Sequence, residues 1–436
     1  MANTYLTRTI SDGSNTKSTY SAWIKRSGIS GTQYLWHTSE NSSNDVKILF
    51  NSGDFLRVLG VVSGSTVMEL TTNRKFRDTS AWYHVVVSFD TTQGTASNRV
   101  KIYINGVQET SFSTATYPAE DYASLRLNNS GDRRTIGTAY DNGGSAGNAY
   151  WNGSMSHVYW IDGTAYAAST FGSTDSTTGE WKINTSPSVT MGTNGFTILK
   201  DGNTITDQSS NSNNFALGGG TLTKTEDCPD NVFCVLNFLD TTRGLSNGNT
   251  TFAGASSGTV VKGSLGMSSG KYYAECKILS AAENMIGVLS IAQAPSTVYV
   301  GASAVGWGLF GDGTLYNNSS ATSNFSNSFS DNDIMGIALD MDNNKLYFSK
   351  NGVFQNSGDP TSGSTGTGAV SITSGLTMTF CGGRDSSSDT ANFNFGNGYF
   401  GTTAISSEGS NASGIGKFEY DVPTGFTALS TKGLNE

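Results

Sequence analysis

Carboxylates, imidazoles and thiols are the groups in this chain that could do covalent or metal chemistry, and their spacing decides whether they act together. Hydrolysis of a glycosidic bond needs two carboxylates flanking it. Glu69, Glu109, Glu275 and Glu419 stand alone, and Asp340 with Asp342 falls beside Asn343-Asn344, where a solvated hairpin corner is expected. The three histidines, His37, His84 and His157, have no cysteine or carboxylate at a spacing that suits a metal or a nucleophilic triad. Cys228, Cys234, Cys276 and Cys381 lack the close pairs of a zinc site and are too few for a disulfide framework, so free and mostly buried thiols are expected. Cys228 and Cys234 are the pair near enough in sequence to bond.

Non-covalent recognition is better provided for. Aromatic residues make up 11% of the chain, and sugar rings stack on Tyr and Trp faces while amides and carboxylates accept their hydroxyls. Trp23, Trp82, Trp160 and Trp307 lie in strand-like runs and are expected in the core. Tyr150 and Trp151 follow a Gly-rich loop and are candidates for display. Tyr316 with Asn317 and Asn318 forms a second candidate group, and "GGRDSSSDT" places Arg384, Asp385 and Asp389 between two strands as a third. For the last two groups a solvated turn is the competing reading.

The elements that must position these residues are strands. Among 436 residues 14% are charged and 53 are Gly, with a net charge of −9. The polar surface is therefore mostly Ser, Thr and Asn, which suits short strands and tight turns and suits helices badly. No run of Lys or Arg interleaves with aromatics, so nucleic acid is not an expected partner. The N-terminus has no basic and apolar leader pattern and nowhere do eighteen apolar residues run together, so no membrane insertion is expected and the chain is expected to be made and assembled in a cytoplasm.

In "RVKIYING" Val100, Ile102 and Ile104 share one face, the mark of a half-buried strand. "STYSAWIKRS" alternates in the same way. The hairpin "WYHVVVSFDTTQGTASNRVKIYINGVQE" is echoed by "IMGIALDMDNNKLYFSKNGVFQ", each ending in a tyrosine-bearing run and Asn-Gly-Val. The repetition predicts an all-β protein of two antiparallel β-sandwiches, with tight turns at Asn105-Gly106 and Asn351-Gly352. The Gly, Ser and Asn-rich stretch ending at Pro229 places the boundary near Thr225. The expected domains are 1–225 and 226–400, with 401–436 as a tail that packs on the second.

The first half, through "YSAWIKRSG", "AWYHVVVSFD", "VKIYINGVQE" and "YWNGSMSHVYWIDGTAY", resembles the concanavalin A-like, laminin G-type jelly roll. The second half resembles the SPRY domain through "SSGKYYAECKI", "VGWGLFGDGTLYNN", "IMGIALDMDNNKLYFSKNGV" and "ANFNFGNGYF". Glycosidases of the first superfamily carry a Glu-x-Asp-x-Glu run, which this sequence lacks, so no enzyme activity and no catalytic residue is expected. Laminin G-type domains often bind calcium on a rim loop; on that resemblance Asp141 and Asn142 in "AYDNGGSAGNAYWNG" are weak calcium candidates against a plain Asn-Gly turn, and no other cofactor is implied.

The pair of modules, followed by "FEYDVPTGFTALSTKGLNE", resembles bacteriophage virion proteins such as the tail fibres and adhesins of marine phages. The resemblance implies a virion structural protein that recognises host surface glycan non-covalently. A decoration protein binding other virion proteins, and more distantly a glycan depolymerase, are the alternatives. Weak single sites further imply a homo-oligomer, a trimer by analogy with fibres, because linked copies raise avidity.

Overall fold

The computed structural model describes residues 3–140, 146–147, 149–202, 204–254, 260–280, 284–294, 299–384 and 389–435. Strand accounts for 43% of the chain and helix for 4%, the helical turns being short 3-10 segments such as Ala96–Asn98 and Pro360–Thr365. No helix among the described residues is long and apolar enough to cross a membrane. The chain divides into two compact units, Met1–Lys224 and Thr225–Glu436.

The first unit packs an eight-stranded sheet on a six-stranded one. The larger runs in the order Phe112–Thr116, Ser65–Lys75, Phe55–Val62, Asn44–Phe50, Gln33–Asn41, Arg133–Ile136, Tyr5–Thr9, Ala216–Gly219; the smaller runs Phe196–Ile198, Gly153–Asp162, Lys17–Arg26, Trp82–Asp90, Val100–Ile104, Val107–Gln108. Their pairings are antiparallel. Val100, Ile102 and Ile104 face the core with Val85, Val87, Ile48 and Val58. Lys17–Arg26 is buried on both faces rather than one. The reason lies in residues 163–195, which lay Phe171, Trp181 and Met191 over Val86, Tyr159 and Ile161 on the sheet's outer side.

A cation sits inside this core. The Arg134 guanidinium lies 5.3 Å from the Trp36 ring centre and 4.5 Å from that of Trp160, two indoles that themselves stack at 4.4 Å. It donates to the Leu127 carbonyl at 2.5 Å, to Asn128 Oδ1 at 3.0 Å and to Thr38 Oγ1 at 3.2 Å. Asn128 also accepts from Trp160 Nε1 at 2.9 Å and donates to Asp162 Oδ1 at 3.1 Å. Asp162 then accepts the backbone N–H groups of Ser14 and Asn194. Charge and counter-charge are thus joined through one amide, which satisfies most of the buried polar groups and leaves Arg134 Nη1 without a partner.

The second unit pairs sheets of nine and six strands. Thr390–Asn394, Lys271–Ser280, Ile334–Asp340 and Lys345–Lys350 are consecutive in the larger; Met378–Gly382, Met285–Ser290, Gly306–Phe310 and Leu315–Asn317 are consecutive in the smaller. Thr427–Ala428 joins the larger sheet in parallel beside Tyr272 and Tyr273, and Phe418, Val422 and Phe426 cover its outer face with Tyr273 and Tyr347. Glu275, fully buried, fastens this C-terminal segment: it accepts the backbone N–H groups of Glu419 and Tyr420 at 2.8 Å each and Asn394 Nδ2 at 3.2 Å. Asn394 in turn accepts from the N–H groups of Gly396 and Gly398. The early glutamate and the late Asn-Phe-Gly are therefore two halves of one clasp. Asp340, expected at a solvated corner, is buried instead, because Lys271 pairs with it at 3.1 Å and Asn343 caps it.

The repeated hairpin is built the same way in both units. Asn105 and Gly106 take φ of 48° and 81°, Asn351 and Gly352 take 49° and 83°, the left-handed pair that a two-residue turn matched to strand twist requires. Each asparagine side chain accepts a backbone N–H from the adjoining strand, Asn105 from His84 at 2.7 Å and Asn351 from Ile334 at 2.9 Å. An aromatic ring from the unit's own late segment lies over each glycine: a Cβ on Gly106 would meet the Trp181 ring at 2.4 Å, and one on Gly352 would meet that of Tyr420 at 2.6 Å. All four cysteines are free, Cys228 half-buried and Cys234, Cys276 and Cys381 buried. Gly106→Ala and Gly352→Ala combine a left-handed backbone with a clash, and each should destabilise its unit by about 1–3 kcal/mol in urea unfolding. A neutral effect at either site would show that the ring does not hold the turn.

Buried titratable groups pull the two units in opposite directions with pH. Burial, then the nearby His157, lowers His84 to about 3, and burial lowers His157 to about 4. Unfolded imidazoles take up protons below about 6.5, so the stability these two contribute is complete above that pH and is lost as pH falls. Burial raises Glu275 to about 7 against the pull of its N–H partners. The folded second unit therefore keeps a proton that an unfolded glutamate sheds near 4.5, and that contribution is full below about 4.5 and lost as pH rises towards 7. Between pH 5 and 7, amide exchange on the intact protein, corrected for its intrinsic pH dependence, should show the first unit gaining protection and the second losing it. Glu275→Gln should flatten the second trend, and parallel trends in both units would contradict the assignment.

Candidate functional site

On the eight-stranded sheet, alternation turns Leu6 to the core and leaves Tyr5, Thr7 and Thr9 on the outer face. Next to them Arg134 and Ile136 face inward, so Arg133 faces out opposite Thr9. The segment after this strand brings Tyr140 back over the same face, its backbone N–H donating to His37 Nδ1 at 3.1 Å. The rings of Tyr5 and Tyr140 stack at 5.7 Å, Tyr150 lies 6.1 Å from Tyr5, and the Arg133 guanidinium lies 4.0 Å from the centre of the Tyr140 ring. All four side chains are half-buried. Tyr5 keeps its orientation because it lies over glycine: a Cβ on Gly218 would meet its ring at 2.2 Å. Burial, then the hydroxyls of Tyr140 and Tyr150, raise the Tyr5 phenol, which stays a hydrogen-bond donor at neutral pH.

The other residues proposed from sequence separate. Trp151, adjacent to Tyr150, turns inward to stack on Phe50 at 6.1 Å and packs against the main core, so it is no display residue. Asp389 is not on a rim: it is fully buried and paired with Arg243 at 2.7 Å, and it accepts the Arg384 N–H. Asn317 spends its amide on the Gly306 carbonyl at 2.8 Å, which fixes a turn. Tyr316 and Arg384 do share a face of the six-stranded sheet. Tyr316 meets Tyr299 at 5.5 Å, and Arg384 lies 4.7 Å over Phe310, which is two residues along from Gly308, the partner of Tyr316. Asp385, Asp141 and Asn142 lie outside the described residues. Among those described, no three His, Cys, Asp or Glu side chains converge as a metal site would need.

The histidines are structural partners. Trp181 Nε1 donates to His84 Nδ1 at 3.0 Å, which leaves His84 Nε2 to donate to Ser21 Oγ at 2.9 Å. His37 lies between the Tyr140 N–H and Asp45, the latter also paired with Lys47 at 2.6 Å. Tyr5, Tyr140 and Arg133 were missing from the sequence reading. The period-two pattern of "YLTRT" was the available signal for Tyr5; the return of Tyr140 over Arg133 depends on the bend at residues 137–138 just after the strand, which alternation does not record.

Residues 2–170 match the concanavalin A-like lectin/glucanases superfamily, in its laminin G-type form, and residues 271–396 match the SPRY domain. The chain joins a concanavalin A-like domain to a SPRY domain. No curated protein matches it. Among solved structures, the SPRY domain of human HERC1 is 18% identical, covering 36% of this chain and 96% of that one, with a TM-score of 0.30. A native heptameric SAP-like pentraxin from Limulus polyphemus is 16% identical, covering 45% and 87%, with a TM-score of 0.31. Both domains belong to fold types that serve in ligand binding.

The inward and outward turns of two neighbouring residues in the concanavalin A-like domain can be read by mutation. Trp151→Ala should cost about 2 kcal/mol or more in urea unfolding because it empties space beside Phe50. Tyr150→Ala should stay within about 0.5 kcal/mol. The reverse order would place Trp151 at the surface.

Proposed function

We propose that the protein is a phage virion adhesin, a tail fibre or fibre-like component, that recognises host surface glycan without a catalytic step. The observation that carries this reading is the three-tyrosine cluster of Tyr5, Tyr140 and Tyr150 on the outer face of the concanavalin A-like domain. Half-exposed rings fixed by a glycine floor and a backbone hydrogen bond offer stacking surfaces at low ordering cost, and their hydroxyls can bond a sugar. The absence of a Glu-x-Asp-x-Glu run supports binding over hydrolysis. So does the pairing of carboxylates in the same domain: Glu69 is held by Arg57 at 2.9 Å and Asp45 by Lys47, and a paired carboxylate makes a poor general acid. The virion assignment rests on the resemblance of the tandem modules to phage fibre proteins.

A shallow site of this kind binds one glycan weakly, so the reading includes several copies acting together, as a trimer or as many copies on one particle bound to other virion proteins. Tyr140→Ala and Tyr150→Ala should each lower binding to host cells or to their purified polysaccharide roughly tenfold, the size of one lost stacking contact. Light scattering should report an oligomer. Unchanged glycan binding by the double variant, or release of oligosaccharide products, would favour decoration or depolymerase roles respectively.

A further inference from the structure

Most arginines of the concanavalin A-like domain are neutralised within it. Arg26 pairs with Asp54 at 3.0 Å, Arg57 with Glu69 at 2.9 Å, Arg74 with Glu109 at 3.3 Å, and Arg126 with Asp132. Arg133 has no carboxylate at ion-pair distance among the described residues, and it lies at the edge of the tyrosine cluster, its guanidinium carbon 4.0 Å from the centre of the Tyr140 ring. Stacking uses the face of a guanidinium and leaves its N–H edge free, and that planar fork matches two oxygens of a carboxylate or sulfate. Ring contact also fixes the fork's direction, so less rotamer freedom remains to be lost on binding.

We infer that this site selects an oxyanion-bearing sugar, a uronate or a sulfated residue, with Arg133 gripping the anion while Tyr140, Tyr5 and Tyr150 hold the rings. This deepens, and rests on, the glycan-recognition reading. The floor suits a chain ligand: Tyr5, Thr7 and Thr9 lie along one face over about 13 Å, with Arg133 beside Thr9 at one end. The net charge of −9 works against general adsorption of polyanions. A polyanion that binds must therefore do so through a local cation, and Arg133 is the residue placed for it.

The test uses the full-length protein against three immobilised polysaccharides: polygalacturonate for the carboxylate, dextran sulfate for the sulfate and plain dextran as the neutral member. The wild type should bind one polyanion at least tenfold more tightly than dextran, and that preference should weaken as NaCl rises. Arg133→Gln should erase both the preference and the salt dependence with an unchanged melting curve. Arg133→Lys should keep part of each, since charge remains while the fork is lost. Which polyanion is preferred identifies the anion. Equal binding of dextran and the polyanions, lowered throughout by Tyr150→Ala but indifferent to Arg133→Gln, would overturn the anion assignment and leave glycan recognition standing. Binding to none of the three, or binding untouched by Tyr140→Ala and Tyr150→Ala, would overturn the glycan reading and this inference with it.

Discussion

A guanidinium enclosed by two indoles cannot reach water, so its N–H groups depend on oxygens already in place; Arg134 Nε and Nη2 find them, and Nη1 is left without a hydrogen bond. In the concanavalin A-like domain that demand organises what lies around Arg134. Asn128 must present its carbonyl to the guanidinium and to Trp160, its amide must then face Asp162, and Asp162 must gather the backbone at Ser14 and Asn194. Segments more than a hundred residues apart are thereby fixed to one point. Loss of one partner would leave a buried charge uncompensated, which costs about 3–5 kcal/mol. The SPRY domain has a carboxyl counterpart. Glu275 turns a strand of the larger sheet into an anchor for residues 419 and 420, and the clasp closes only when the C-terminal segment is in place.

The two anchors also explain what sequence could and could not show. Hairpins are local, and alternation with Asn-Gly turns gives their strands, their register and the free thiols nearby. Partner choice across long connections is not local. Asp389 reads as a loop acid until Arg243, 146 positions earlier, is found against it. Trp151 and Tyr150 carry the same local signal after a Gly-rich loop, and only the position of Phe50 separates them. Both faces of Lys17–Arg26 are buried because a later excursion covers the outer one, which alternation within the strand does not record.

The candidate site follows from the same division. Its floor was legible, since period two puts Tyr5, Thr7 and Thr9 on one face, whereas its wall was not, because Tyr140 folds back over Arg133 through a short bend that alternation does not record. A sheet scaffold with a floor set by strand register and a wall set by the turn beyond it separates the recognition surface from the core. The inward-facing neighbours of Tyr5 and Arg133, Leu6 and Arg134, are bound into the core, so the outward residues are held on rigid strands.

The rings over the two hairpin glycines have a further effect. Asn-Gly is the sequence most open to deamidation, in which the glycine nitrogen attacks the asparagine side-chain carbonyl through a cyclic imide. The attack needs the side chain to swing back over a mobile backbone. In both turns the side-chain oxygen is held by a neighbouring strand's N–H, and Trp181 or Tyr420 lies across the glycine. The residues that let these two hairpins form are thus also shielded from ageing, each by an aromatic side chain from later in its own unit.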